Sequence, residues 1–203
     1  MVKRLRLAKT RPRRFGARLG ALWILALVTL MPGSAAQASE AAWAALDEPG
    51  TVAIMRHALA PGTGDPADFA LDDCTTQRNL DERGRDQARA IGAAFRARGI
   101  AVDRVLTSQW CRCRETAELL DLGPVEDLPA LNSFFGNRAA GPEQTRATRA
   151  FLRDTAGTAR LMLVTHQVNI TALTGVFPAS GEVIVGRMGG NGFEVLGTIE
   201  IAP

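Results

Sequence analysis

The chain has 203 residues, of which 46% are hydrophobic, and a formal net charge of +3. This positive charge comes from the first 18 residues, where eight Lys and Arg precede the first acidic residue, Glu40. The chain beyond these 18 residues has 24 − 8 = 16 Lys and Arg against 21 Asp and Glu, so its net charge is −5. The composition therefore argues against a nucleic-acid partner, because such binding needs a basic patch on the folded domain.

Residues 1–38 have the pattern of an export signal. A basic segment is followed by the apolar stretch Ala21–Met31, which is shorter than a membrane-spanning helix. Pro32-Gly33 breaks that stretch, and Ala36-Gln37-Ala38 suits a cleavage point. We predict that residues 39–203 form one exported domain, periplasmic or secreted, which meets a membrane only through the signal before cleavage. An uncleaved membrane anchor is the alternative, and the choice between the general and the twin-arginine export routes stays open.

Strand patterns alternate with helical patterns beyond the signal, which predicts an α/β domain built on a largely parallel sheet. The clearest strands are two short apolar runs that match buried strands. In chain order, the predicted elements are a short helix within 39–50, a strand at 52–55, a loop at 58–77, a helix capped by Asp81 and ended by Gly99, a strand at 104–107, a helix capped by Ser108 and running to about Leu120, a short strand at 128–131, a helix at 143–156, a strand at 161–165, a helix from 168 to near 175, and strands at 182–187 and 193–201.

Both clear strands end in a histidine, and the chain has only two histidines. Arg56 and His57 end the strand at 52–55, and His166 follows the strand at 161–165. Because open α/β sheets bind ligands at the carboxyl ends of their strands, we expect these side chains to meet there. Arg112, in the first turn of a helix, would join them, since a helix start favours anions. Two arginines and two imidazoles predict a phosphate site in which an imidazole nitrogen attacks phosphorus.

The segments around these residues resemble the histidine phosphatase superfamily, which has the phosphoglycerate mutase-like fold. The resemblance implies a single-domain, three-layer sandwich with a central, largely parallel sheet. It also implies that His57 is phosphorylated, that Arg56, Arg112 and His166 bind the phosphoryl group, and that no metal or other cofactor is needed. The matching segments are Met55-Arg56-His57-Ala58, Ser108 to Ala117, Val164-Thr165-His166, and Arg78-x-Leu80 with Gly84.

The chain departs from this family at the general acid. Gln167 follows His166, where the acid-phosphatase branch has an aspartate. The segment that carries a glutamate in the mutase-like branch reads Leu131-Asn132-Ser133-Phe134-Phe135. Several acids lie in the loop after the first histidine, and we predict Asp65 as the proton donor, which requires a raised pKa.

Three further residues are predicted near the substrate. Arg78 lines the pocket or braces the loop, and both roles are expected of an arginine. Asn132 and Ser133 are predicted to contact the substrate at the pocket rim.

The three cysteines are Cys74, Cys111 and Cys113. In an exported protein we predict that Cys74 pairs with one of the other two, because Cys111 and Cys113 are too close to pair easily with each other. Such a bridge would fix the start of the helix that carries Arg112. Three reduced, buried cysteines are the alternative.

The predicted function is that of an exported phosphatase acting on a small phosphorylated substrate through a phosphohistidine on His57. A phosphorylated envelope sugar, such as one in the lipopolysaccharide core, is implied by an exported branch of the family. The alternative is a catalytically impaired phosphate-binding protein of the same fold, because the usual acid is missing. A metal site made of His57, His166 and a cysteine is disfavoured, since neighbouring arginines repel a metal ion.

Overall fold

The computed structural model describes residues 34–155, 157 and 159–201. The predicted export signal, residues 1–38, lies mostly outside this range and stays a prediction. No helix within the described ranges is long and apolar enough to cross a membrane. The strands are β1 (Thr51–Arg56), β2 (Arg104–Thr107), β3 (Val125–Asp127), β4 (Leu161–Thr165), β5 (Val183–Gly189) and β6 (Gly192–Ile199). The helices are α1 (Ser34–Ala45), α2 (Glu82–Ala97), α3 (Cys111–Leu120), α4 (Gly141–Thr155) and α5 (Gln167–Thr174), with 3-10 turns at Cys74–Thr76, Pro129–Leu131 and Arg138–Ala140.

The six strands form one sheet in the order β3-β2-β4-β1-β5-β6. The first four are parallel to one another, and β5 runs antiparallel to both β1 and β6. The predicted α/β class with a largely parallel sheet is confirmed.

Helices cover both faces of this sheet, as the alternating side chains of β1 show. Ala53 and Met55 pack into a cluster with side chains of α1, α2 and α3. Val52 and Ile54 point to the opposite face and pack with side chains of α4 and α5. The expected three-layer sandwich is therefore present, and its strands are buried on both faces.

Two local predictions are wrong. Ser108 does not cap α3, which begins at Cys111 after Trp110 and has no side-chain cap. The Ser108 hydroxyl instead lies 2.9 Å from a ring nitrogen of His166. The strand predicted at 128–131 lies earlier, as β3, because Pro129 has no N–H for a ladder and opens a 3-10 turn.

Candidate active site

The topology brings the two histidines together at the carboxyl edge of the sheet. Arg56 and Thr165 are paired across the parallel strands β1 and β4, and a histidine follows each of them. The two histidines therefore leave the sheet side by side. The backbone N–H of His57 donates to the Thr165 carbonyl oxygen at 2.9 Å. The two imidazole rings are 5.5 Å apart between centroids. Strand β2 lies on the other side of β4 and leads into α3, which supplies Arg112.

A cavity of about 320 Å³ opens at this edge. It contains seven of the eight residues predicted for catalysis, substrate binding or proton donation, and Asn132 does not line it. The predicted residues in its wall are Arg56, His57, Asp65, Arg78, Arg112, Ser133 and His166.

His57 has one ring nitrogen committed and one available. Its Nδ1 lies 2.8 Å from the Ala58 carbonyl oxygen, which can only accept a hydrogen bond, so Nδ1 carries the proton. Nε2 is therefore unprotonated, and its lone pair accepts a hydrogen bond from Nε of Arg112 at 3.3 Å. Burial, together with the positive charge of Arg112, holds the pKa of His57 well below its usual range. The ring is therefore neutral at neutral pH, with Nε2 directed into a cationic pocket.

His166 is also buried and neutral. Its Nε2 is 2.9 Å from the Ser108 hydroxyl and 3.5 Å from the sulfur of Cys113. Burial lowers its pKa well below the usual range, and the nearby His57 and Arg112 lower it further. The indole of Trp110 packs edge-on against the imidazole of His166, with 5.3 Å between the ring centroids. This contact restricts the orientation of the imidazole.

Arg112 is held by a bidentate ion pair with Asp65. Its Nη1 and Nη2 donate to the two carboxylate oxygens at 2.6 and 3.1 Å, and its side chain is only 3% exposed. Asp65 also accepts from the indole N–H of Trp110 at 3.1 Å and from the backbone N–H of Arg78 at 3.3 Å. Burial acts to raise the pKa of Asp65, but the hydrogen bonds and charge of Arg112 outweigh it and the pKa is lowered. The predicted proton donor thus lies in the cavity, but in this arrangement it is an ionised acceptor.

The other two cavity arginines are anchored by carbonyl oxygens. Arg78 donates to Ala60 at 2.5 Å and to Gly64 at 2.7 Å, so it both lines the cavity and braces the loop after His57. Arg56 donates to Pro178 at 3.0 Å, and its Nε is buried without a hydrogen-bond partner among the described residues. Both keep N–H groups that are available to an anion.

Asn132 is not in the cavity wall but forms hydrogen bonds with residues next to it. Its side-chain oxygen accepts from the backbone N–H of Gln109 at 2.9 Å, and its amide nitrogen donates to the side chain of Gln109 at 2.8 Å. The same oxygen accepts from the Ser108 hydroxyl at 3.3 Å. Asn132 is therefore engaged with the β2–α3 connection, whereas Ser133 reaches the cavity wall.

The loop after His57 is attached to the start of α3 by a disulfide. The bridge joins Cys74 to Cys111, which selects one of the two predicted pairings. The side chain of Gln77, in the same loop, accepts the first free N–H of α3, from Cys111, at 3.0 Å. Cys113 is a free, buried thiol whose pKa is raised to about 12, mainly by burial. The bridge thus fixes both Asp65's loop and Arg112's helix, and the remaining thiol is unreactive.

Sequence reasoning missed the aromatic residues at the site. Phe135 and Phe177 line the cavity although they are 43% and 73% exposed. In the loop after His57, the ring of Phe69 stacks on the indole of Trp110. Single aromatic residues in irregular segments carry no periodic signal, so only their spatial convergence reveals them.

The described residues contain no group of three or more His, Cys, Asp and Glu side chains arranged to hold a metal ion. The positions near the two histidines are instead taken by guanidinium groups.

A protein-family model matches the part of the chain that carries most of these residues. The model of the histidine phosphatase superfamily (branch 1) matches residues 53–154, half of the chain. This span includes His57, Asp65, Arg78 and Arg112 and ends before His166. No curated protein matches.

Several solved structures share the fold. The protein histidine phosphatase SixA, complexed with tungstate, is 21% identical with a TM-score of 0.53, over 74% of this chain and 96% of that one. The α-ribazole phosphatase from Shigella flexneri is 17% identical with a TM-score of 0.50, over 75% and 100%. A phosphoserine phosphatase from Entamoeba histolytica is 10% identical with a TM-score of 0.57, over 74% and 97%. At these identities the structures establish the fold alone.

Proposed function

Because the chain belongs to the histidine phosphatase superfamily, we propose that it hydrolyses phosphomonoesters through a phosphohistidine formed on His57. The observation that carries the proposal is the neutral His57 ring, whose unprotonated Nε2 lies in a cavity walled by Arg56, Arg78 and Arg112. A buried lone pair surrounded by fixed cations suits attack on a phosphoryl group whose negative charge those cations neutralise.

The reaction proceeds in two displacements. Nε2 of His57 attacks phosphorus, the N–P bond forms, and the ester P–O bond breaks as the leaving oxygen takes a proton. Water then attacks the phosphorus and gives a proton to Asp65, which the first displacement left ionised, as the N–P bond breaks and inorganic phosphate leaves. Throughout, Nδ1–H remains bonded to the Ala58 carbonyl oxygen and keeps the reactive lone pair on Nε2.

Asp65 supplies the proton in this proposal, after the substrate has changed its surroundings. A phosphoryl group that binds the Arg112 fork competes with Asp65 for the same two N–H donors. Once Asp65 loses that pairing, burial acts to raise its pKa against the hydrogen bonds that remain from Trp110 and Arg78. A carboxyl group in that condition is suited to protonate the leaving oxygen.

The finer features of the function are also proposals. The cavity arginines take the charge-neutralising role that a metal ion has in other phosphatases, which supports metal-independent catalysis. The Cys74–Cys111 bridge supports export to an oxidising compartment. A phosphorylated envelope sugar as the substrate rests on the family resemblance alone.

The test is phosphate release from p-nitrophenyl phosphate, measured with and without a chelator. We expect turnover that a chelator leaves unchanged. His57→Asn should abolish turnover and also abolish a trapped phosphoenzyme that is labile to acid and stable to base. His166→Asn is the matched control, since it slows turnover but leaves the attacking nitrogen in place for labelling.

Full turnover in His57→Asn would contradict the proposed nucleophile. Tight binding of inorganic phosphate without any turnover would instead identify a phosphate-binding protein.

A further inference from the structure

A second concave region lies along α4, outside the catalytic cavity. This arginine groove has a volume of about 790 Å³ and is lined by four guanidinium groups. The rest of its wall is apolar or small, apart from one threonine. Its arginines are Arg138, Arg146, Arg149 and Arg153, and its other lining residues are Phe134, Gly141, Pro142, Thr145 and Ala172.

The charge of this groove contrasts with that of the domain around it. Thirteen described arginines lie outside the catalytic cavity, and nine of them have an Asp or Glu oxygen within 4.0 Å. Three of the remaining four line the groove, so it holds most of the arginines outside the cavity that have no acidic partner among the described residues. The fourth groove arginine, Arg146, has only Glu143 at 3.8 Å, and both side chains are largely exposed.

One groove arginine has a side-chain N–H without a partner in the described part of the chain. The Nε of Arg149 is buried and has no hydrogen-bond partner among the described residues, which is uncommon for a buried polar atom. Gly141 and Pro142 at the start of α4 also lie in the wall.

The groove adjoins the catalytic cavity. Phe134 lines the groove, whereas the next residue, Phe135, lines the cavity. The guanidinium of Arg138 lies over the Phe135 ring at 4.8 Å, so one stacked pair forms the boundary between the two regions. The cavity and the groove are therefore neighbours, separated by Phe135 and Arg138.

We propose that the arginine groove is a second anion-binding site, which takes a further phosphate group of a multiply phosphorylated substrate whose reacting phosphate lies at His57. The inference rests on the proposed phosphatase function, which it narrows to substrates with more than one anionic group. Arginine suits the task because its planar fork pairs with two phosphate oxygens at once.

The test compares two inhibitors of p-nitrophenyl phosphate hydrolysis. One inorganic phosphate ion is too small to span the cavity and the groove, whereas myo-inositol hexakisphosphate presents several phosphates that can reach both sites. In Arg146→Gln/Arg153→Gln we expect the ratio of the hexakisphosphate inhibition constant to the phosphate inhibition constant to rise about tenfold, since two charge-assisted contacts are lost. The matched control is Arg83→Gln/Arg89→Gln on α2, which removes the same charge and should change the ratio less than about twofold.

An unchanged ratio in the groove variant, or an equal rise in the control, would overturn the proposal. If the protein does not turn over p-nitrophenyl phosphate, the proposed function fails by itself. The groove is then tested by calorimetric titration of hexakisphosphate into the same three proteins. Equal affinities would overturn it, and about tenfold weaker binding by the groove variant alone would support it.

Discussion

The catalytic cavity and the arginine groove are both lined by arginines, but the protein holds them differently. Arg112 in the cavity is 3% exposed and fixed by both oxygens of Asp65. Arg146 in the groove is 71% exposed and has one distant partner. A buried cation in contact with His57 is already in place to stabilise developing charge, whereas exposed cations only add affinity. The difference agrees with the proposals that chemistry takes place in the cavity and that the groove contributes to substrate selection.

The largest expected effect comes from changing the fixed arginine. Arg112→Lys keeps the charge but cannot maintain the bidentate pair with Asp65 and the contact with Nε2 of His57 at once. We expect kcat for p-nitrophenyl phosphate to fall by about 10²–10³. Arg146→Lys is the comparison, and a similar loss of kcat there would remove the distinction between the two regions.

Asp65 gives a smaller effect that depends on the leaving group. Asp65→Asn should lower kcat/KM about 10²-fold for alkyl phosphates, whose leaving oxygen needs a proton. For p-nitrophenyl phosphate, whose leaving group is stable as an anion, the loss should be about tenfold or less. Steady-state assays with both esters separate the roles, because an equal loss for both would mean that Asp65 only positions Arg112.

The smallest expected effect concerns the buried histidines and pH. Their pKa values are lowered in the folded protein, so below about pH 6.5 the unfolded chain binds protons that the native state does not. The free energy of unfolding should therefore fall with decreasing pH, by at most about 2.7 kcal/mol per pH unit for two histidines. Urea unfolding between pH 7 and 5 measures this slope.

His57→Asn should remove about half of that slope. Because the groove has no histidine, Arg146→Gln should leave it unchanged. A wild-type stability that does not change over this interval would show that the histidines are not buried and neutral.

Most of the cavity could be predicted from the sequence because its key residues follow regular elements. Two apolar strands that end in histidines indicate one sheet edge, and a helix start adds Arg112. The ion pair between Asp65 and Arg112 could not be predicted, because residues 47 positions apart meet only through an irregular loop. The wrong cap at Ser108 has a similar cause, since its hydroxyl is used by His166 from another strand.

The family resemblance implied the three-layer arrangement, whereas the sequence by itself determined the α/β class and the positions of both histidines. These features depend on short-range periodicity and on the rule that parallel strands present their carboxyl ends together. Only the tertiary structure decided the Cys74–Cys111 pairing, the ionised state of Asp65 and the arginine groove. Each of these depends on distances between segments far apart in the chain, and an overall net charge of −5 conceals a local cluster of cations.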